Sequence, residues 1–197
     1  NGFARAQPST LNGLEKLTWL KKLYIWSSHV TLPDTIYNFP ELEYLMLDRT
    51  AMPHSMYDQT SIRRLSIHGN VNPVLDMNDI SRLKNLELLN LYDFEKFRNT
   101  LDLPKLEHLV VHDFKDDSLY IGIEKLPSLQ SFVLTYSQHL LNLDKISNPN
   151  LRSLIINGNM NLQTLNLDTA SFIRLEEMLI KGSRNLTTIP KFVNGVE

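Results

Sequence analysis

With 197 residues and a formal net charge of −2, the chain has neither a basic footprint for nucleic acid nor a polybasic patch for an anionic membrane. It has no cysteine, which excludes disulfides, thiolate zinc sites and a cysteine nucleophile. No apolar run approaches the roughly 18 residues of a membrane span, and Asn1 to Pro8 lacks the charged-then-apolar order of a signal peptide.

In chain order, Leu11-x-x-Leu14-x-x-Leu17 reads as the outer part of a repeat whose strand is missing. A pair of apolar residues one position apart then recurs: Leu23-x-Ile25, Leu45-x-Leu47, Leu65-x-Ile67, Leu89-x-Leu91, Leu109-x-Val111, Phe132-x-Leu134, Leu154-x-Ile156 and Met178-x-Ile180. The first members are 22, 20, 24, 20, 23, 22 and 24 residues apart. A fixed period in this range marks stacked repeats with one continuous core. Three residues before each pair stands another apolar side chain: Leu20, Leu42, Ile62, Leu86, Leu106, Leu129, Leu151 and Leu175. Period-two alternation predicts a strand with one buried face, and equal registers predict a parallel sheet.

Three residues beyond the pair the chain must turn. Ser28, Thr50, Asn70, Ser137, Asn159 and Ser183 stand there, small and polar, suited to bonding the orphan backbone groups of a turn. Phe94 and Phe114 break the pattern and are expected to stack on each other. Gly69, Gly158 and Gly182 fall at strand exits, where turns call for them. Between the third and fourth pairs, Asn78-Asp-Ile80-Ser-Arg-Leu83 predicts a short helix capped by Asn78 or Asp79. Later, Leu141-x-Leu143 and Leu165-x-Leu167 follow the preceding core pairs by 9 and 11 residues and read as extended segments on the far side of the coil. Helix is therefore expected in the middle repeats, and short extended or 3₁₀ pieces after them.

The template L-x-x-L-x-L-x-x-N resembles the leucine-rich repeat family over nearly the whole chain. Leu32-Pro33, Met52-Pro53 and Ile189-Pro190 are similar to the step after the turn in plant-type and some bacterial repeats. Leu83-Lys-Asn-Leu86 and Leu126-Pro-Ser-Leu129 are similar to the family's approach to the strand. The resemblance implies an α/β leucine-rich-repeat solenoid. This is a curved horseshoe with a concave parallel sheet of about eight strands and short helical, 3₁₀ or extended convex segments. One domain is expected over 1–197: an entry or partial repeat at 1–16, repeats over 17–190 and an exit at 191–197. Either those ends serve as caps or the chain is a piece of a longer protein.

Residues between the core leucines point to the concave face. Tyr24, Trp26 and Tyr44 cluster toward the N-terminal end, with Asp48 beside them. His68, Tyr92, His108, His112 and Tyr136 follow along the middle, and Val110, Val133 and Ile155 form an apolar stripe that Leu179 continues. Interfaces are enriched in aromatic residues, and a contiguous apolar stripe marks an interaction surface. The plain structural account is that β-branched and aromatic residues simply fit a pleated face.

A metal site is not expected. His108 and His112 lie about 13 Å apart along one strand, and Tyr92 interrupts the column of His68 and His112. The pairs Asp116-Asp117 and Glu176-Glu177 read as solvated surface, because adjacent residues point apart. No catalytic signature appears.

The expected function is a non-catalytic, cofactor-free module that recognises a protein partner on its concave face, as a monomer. The alternatives are a carbohydrate or small-ligand site at Trp26, Tyr24 and Tyr44, and the targeting domain of a larger receptor, effector or enzyme. Absent cysteine leans the expectation toward a secreted, periplasmic or cell-surface bacterial protein, with a cytoplasmic one as the alternative.

Overall fold

The apolar pairs fold as strands because alternation buries one side of each and leaves the other to solvent. A computed structural model describes residues 9–10, 13–26, 30–32, 39–69 and 72–187. The chain runs through β1 (Ser9–Thr10), a 3₁₀ turn (Leu14–Lys16), β2 (Lys22–Trp26), β3 (Val30–Thr31), β4 (Tyr44–Asp48) and a second 3₁₀ turn (His54–Asp58). It continues through β5 (Arg64–His68), β6 (Val74–Asp76), α1 (Met77–Ile80), β7 (Leu88–Tyr92), β8 (Lys96–Arg98) and β9 (His108–His112). Then come β10 (Ser118–Leu119), a 3₁₀ turn (Ile123–Lys125), β11 (Ser131–Thr135), β12 (Asn142–Ile146), β13 (Ser153–Asn157), β14 (Thr164–Leu167), a last 3₁₀ turn (Thr169–Ser171) and β15 (Glu177–Lys181).

Eight strands form one parallel sheet in the order β15-β13-β11-β9-β7-β5-β4-β2. Each pair is in register, so Leu23, Leu45, Leu65, Leu89, Leu109, Phe132, Leu154 and Met178 stack in one row. From Leu45 to Leu154 that row is fully buried, as are Leu42, Ile62, Leu86, Leu106, Leu129 and Leu151 behind it. This is the expected leucine-rich-repeat solenoid, with the eight-stranded sheet on its concave side. Among the described residues no helix is long and apolar enough to cross a membrane.

The convex side is more extended than the sequence suggests. Leu143 and Leu165 pair across β12 and β14, in a three-stranded parallel sheet with β10. The middle repeats are not generally helical. β8 follows β7 and pairs with β6, and the expected helix shrinks to the single turn α1. Its cap is Asp76, not Asn78 or Asp79. A cap needs extended backbone and a side chain that reaches the N–H two residues on. Asp76 ends β6 at φ −87° and accepts from Asn78 N at 2.9 Å, whereas Asn78 and Asp79 already lie inside the turn.

Two of the polar turn residues, Ser137 and Asn159, bond between repeats, whereas Thr50 Oγ1 donates to Asp48 O at 3.3 Å within its own turn and the buried Ser183 hydroxyl, against expectation, has no hydrogen-bond partner among the described residues. Asn159 is fully buried; its Oδ1 accepts from Ser137 N at 2.8 Å and its Nδ2 donates to Leu134 O at 3.1 Å. Ser137 Oγ in turn accepts from Phe114 N at 3.0 Å. Phe94 and Phe114 do not stack on each other as expected: Phe97 of β8 lies between them, with ring centroids 5.6 Å from Phe94 and 4.7 Å from Phe114. An aromatic stack from the convex strand thus fills the space that small polar residues occupy elsewhere. Leu11, Ser28, Pro33, Asn70, Ile189-Pro190 and the exit at 191–197 lie outside the described residues.

Candidate recognition surface

Strict register converts the sequence into columns on the concave face. Tyr24, Met46, Ser66, Asn90, Val110, Val133, Ile155 and Leu179 form one column. In another, Trp26 pairs with Asp48, and His68 leads through Tyr92, His112, Thr135 and Asn157 to Lys181.

At the N-terminal end, Tyr24 and Trp26 on β2 are 53% and 71% exposed. The Tyr24 ring meets Tyr44 of β4 edge-on at 5.0 Å. Tyr44 is less free than its neighbours, with its hydroxyl 3.5 Å from Ser66 Oγ.

The middle of the face is a stack of rings. His68 lies nearly parallel to Tyr92 at 4.5 Å and 18°. Tyr92 meets His112 at 5.6 Å, and His112 meets Tyr136 at 5.3 Å. Tyr92 therefore joins the two histidines rather than merely interrupting their column. Asp48 Oδ1 lies 3.4 Å from His68 Nδ1, and His112 Nδ1 lies 2.9 Å from Thr135 Oγ1. Burial in the stack holds the His68 imidazole below its ordinary value, against the pull of Asp48 and Asp93. Burial also pushes the Tyr92 phenol up, and nearby Tyr44 adds to the shift. His108 stands at the opposite end of β9 from His112, outside the stack. Among the described residues no three His, Asp or Glu side chains are placed to hold a metal ion together.

Val110, Val133 and Ile155 are partly exposed and adjacent through the paired strands, and Leu179 is 40% exposed beyond them. The stripe and the ring stack lie side by side on β9 and β11.

A rim runs along the strand exits. Arg49, Asp93, Asp113, Tyr136, Gly158 and Gly182 all take left-handed backbone, with φ between 53° and 72°. Gly69 stands in the same column but is not left-handed; close approach explains it. A Cβ there would sit 2.6 Å from Asp93 O and 2.7 Å from the Phe94 ring. Lys115, not singled out in the sequence, bridges the rim carboxylates, with Nζ 2.6 Å from Asp113 Oδ2 and 3.1 Å from Asp93 Oδ1. Asp113, more than Asp93, raises the Lys115 ammonium above its ordinary value. Only the spacing of Lys115 two residues beyond Asp113 hinted at this. The pair Glu176-Glu177 divides as expected of a surface: Glu176 pairs with Arg152, and Glu177 accepts from Ser153 Oγ at 2.7 Å.

No protein-family model and no curated protein matches the chain. Among solved structures, it is similar to the leucine-rich repeat domain of the type III effector XopL. The TM-score is 0.66 at 22% identity, covering 93% of this chain and 68% of that one. A match to the plant peptide hormone receptor RGFR1 in complex with RGF2 has a TM-score of 0.33 at 16% identity, over 85% of this chain and 45% of that one. That second likeness is too loose to carry weight. Repeat period, strand register and the first likeness make the chain a leucine-rich repeat protein by fold.

Proposed function

We propose that the chain is a non-catalytic protein-recognition module whose concave face seats a protein partner. The observation that carries this reading is the aromatic surface: exposed Trp26 and Tyr24 at one end, then the half-buried rings of His68, Tyr92 and His112 along the sheet, ending at exposed Tyr136 on its rim. Rings fixed by their neighbours lose little conformational freedom on binding, which makes them efficient anchors. Eight strands at about 4.8 Å span roughly 34 Å, matching a standard patch of about 800 Å² per partner.

The test is affinity capture from extract, comparing the chain with a Trp26→Ala/Tyr136→Ala variant whose circular dichroism is unchanged. Both residues are exposed, so the fold tolerates their loss. A protein retained by the first and lost by the second supports the reading. Equal capture, or none by either, counts against it. Binding of isolated glycans that depends on Trp26 alone would favour a sugar site at the N-terminal cluster instead.

A further inference from the structure

Where the strands enter the concave face, the sheet carries charge of one sign. Register aligns Lys22, Tyr44, Arg64, Leu88 and His108 in one column across β2, β4, β5, β7 and β9. Basic side chains alternate in it with apolar bodies. Lys22, Arg64 and His108 are exposed, and Tyr44 and Leu88 between them are half-buried. Continued through Ser131 and Ser153, the column meets no carboxylate before Glu177 on β15.

Among the described residues, none of Lys22, Arg64 and His108 pairs with a carboxylate; Glu87, one residue before Leu88, is taken by the Arg63 guanidinium. Glu43 and Glu107 likewise stand one residue before Tyr44 and His108, at the outer edge of the column. The other carboxylates of β4, β7 and β9 gather where the strands leave the sheet. There Asp48 faces His68, and Lys115 bridges Asp93 and Asp113. The face is thus polarised across its width, basic at strand entry and acidic at strand exit, with rings and aliphatic side chains between.

The spacing of the column restricts what fits it. Strands about 4.8 Å apart set successive basic residues about 9.6 Å apart. A polyproline II segment rises about 3.1 Å per residue with three residues per turn, so every third side chain returns to one face after about 9.3 Å. Laid across the strands, such a segment brings an acidic residue at every third position to Lys22, Arg64 and His108. Its intervening apolar residues then meet Tyr44 and Leu88. The segment is extended before it binds, which lowers the cost of ordering it. Arginine and tyrosine, both present in the column, are the residue types that most often carry binding energy.

We propose that the protein partner presents an extended acidic segment, with a carboxylate at every third residue, that crosses the strand-entry side of the concave face on Lys22, Arg64 and His108. This rests on the concave face being the recognition surface and names the chemistry recognised there. The carboxylates at strand exit confine the segment to the entry side. Those of Glu43 and Glu107 at the outer edge repel a uniformly charged polyanion and leave room for one whose charges are spaced.

Fluorescence anisotropy of the full chain with a labelled peptide of three Glu-Pro-Leu triplets tests it, and binding that weakens with added salt is expected. Arg64→Gln is expected to weaken it about fivefold, and Arg64→Glu further. Arg64 is exposed, so the fold tolerates both, and circular dichroism checks it. Lys125→Gln, on a convex 3₁₀ turn, is expected to leave binding unchanged. The same peptide with glutamine for glutamate is expected not to bind, and one with its glutamates contiguous to bind more weakly. No binding of the spaced peptide, binding indifferent to Arg64→Glu, or equal or tighter binding of the glutamine peptide, the contiguous peptide or heparin each overturns the proposal. Capture from extract separates this from the function it rests on. A partner lost with Trp26→Ala/Tyr136→Ala but kept with Arg64→Glu overturns the acidic segment and leaves the recognition surface standing. Capture that none of these variants alters counts against the surface itself.

Discussion

Asn159 shows how much one buried side chain does in a stacked repeat. It satisfies Ser137 N and Leu134 O in the preceding repeat. Replacing it by alanine leaves Ser137 N without this acceptor in the core and takes from Leu134 O a bond additional to the β11–β13 ladder, and Asn159→Ala is expected to cost about 2 kcal/mol in urea unfolding. Its polarity and position were legible in the sequence, but its partners were not, because they lie more than twenty residues away. Gly69 carries the opposite lesson. Its place at a strand exit suggested a turn requirement, whereas the constraint is the Asp93 and Phe94 backbone of the next repeat. Gly69→Ala is expected to destabilise by about 2 kcal/mol through overpacking, checked by the denaturation midpoint. His68 supplies a pH dependence. Its folded-state pKa lies below the ordinary 6.5, chiefly through burial, so the unfolded chain takes up the proton first. The stability it contributes is complete above 6.5 and is lost as pH falls through the folded pKa. His68→Gln is expected to flatten the stability profile on the acid side of 6.5, and NMR titration of the imidazole gives the folded pKa directly.

Elements were readable in proportion to the clarity of their period. The concave strands announced themselves because the core requires every second side chain, and all eight stand where the apolar pairs are. Convex segments carry no such demand. Their apolar residues need only reach inward, which a 3₁₀ turn, a short strand or the single turn α1 does equally well. Hence Leu143 and Leu165 were correctly read as extended, while helix was overestimated in the middle repeats. Phe97 is the clearest omission. It stands outside the repeat template, so nothing in the spacing singles it out, yet in β8 it separates Phe94 from Phe114 where a polar ladder would otherwise stand. Phe97→Ala is expected to cost about 3 kcal/mol and to broaden the resonances of both flanking rings in NMR spectra.

As a whole, the molecule is close to one-dimensional: each repeat touches its neighbours and little else. The cost of a core deletion should therefore depend on position along the stack. Leu109 is fully buried in β9, with β7 and β11 on either side. Met178 is partly exposed on β15, with β13 as its one neighbouring strand among the described residues. Leu109→Ala is expected to cost about 3 kcal/mol or more, and Met178→Ala about 1 kcal/mol, in chemical denaturation. The overall architecture was legible because the same period repeats along the chain. The candidate surface was legible only as columns; that its rings touch depended on rotamers, which period and register do not specify.

Tyr136 is held in left-handed backbone at φ 57°, its ring laid over Gly158 and against His112. A side chain in that conformation costs about 1 kcal/mol relative to glycine, so under the proposed function the position is one where durability and recognition pull in opposite directions. Tyr136→Gly is expected to melt no lower than the parent, and even higher, while binding its partner less well. A selection for heat resistance alone would tend to erase the last ring of the stack.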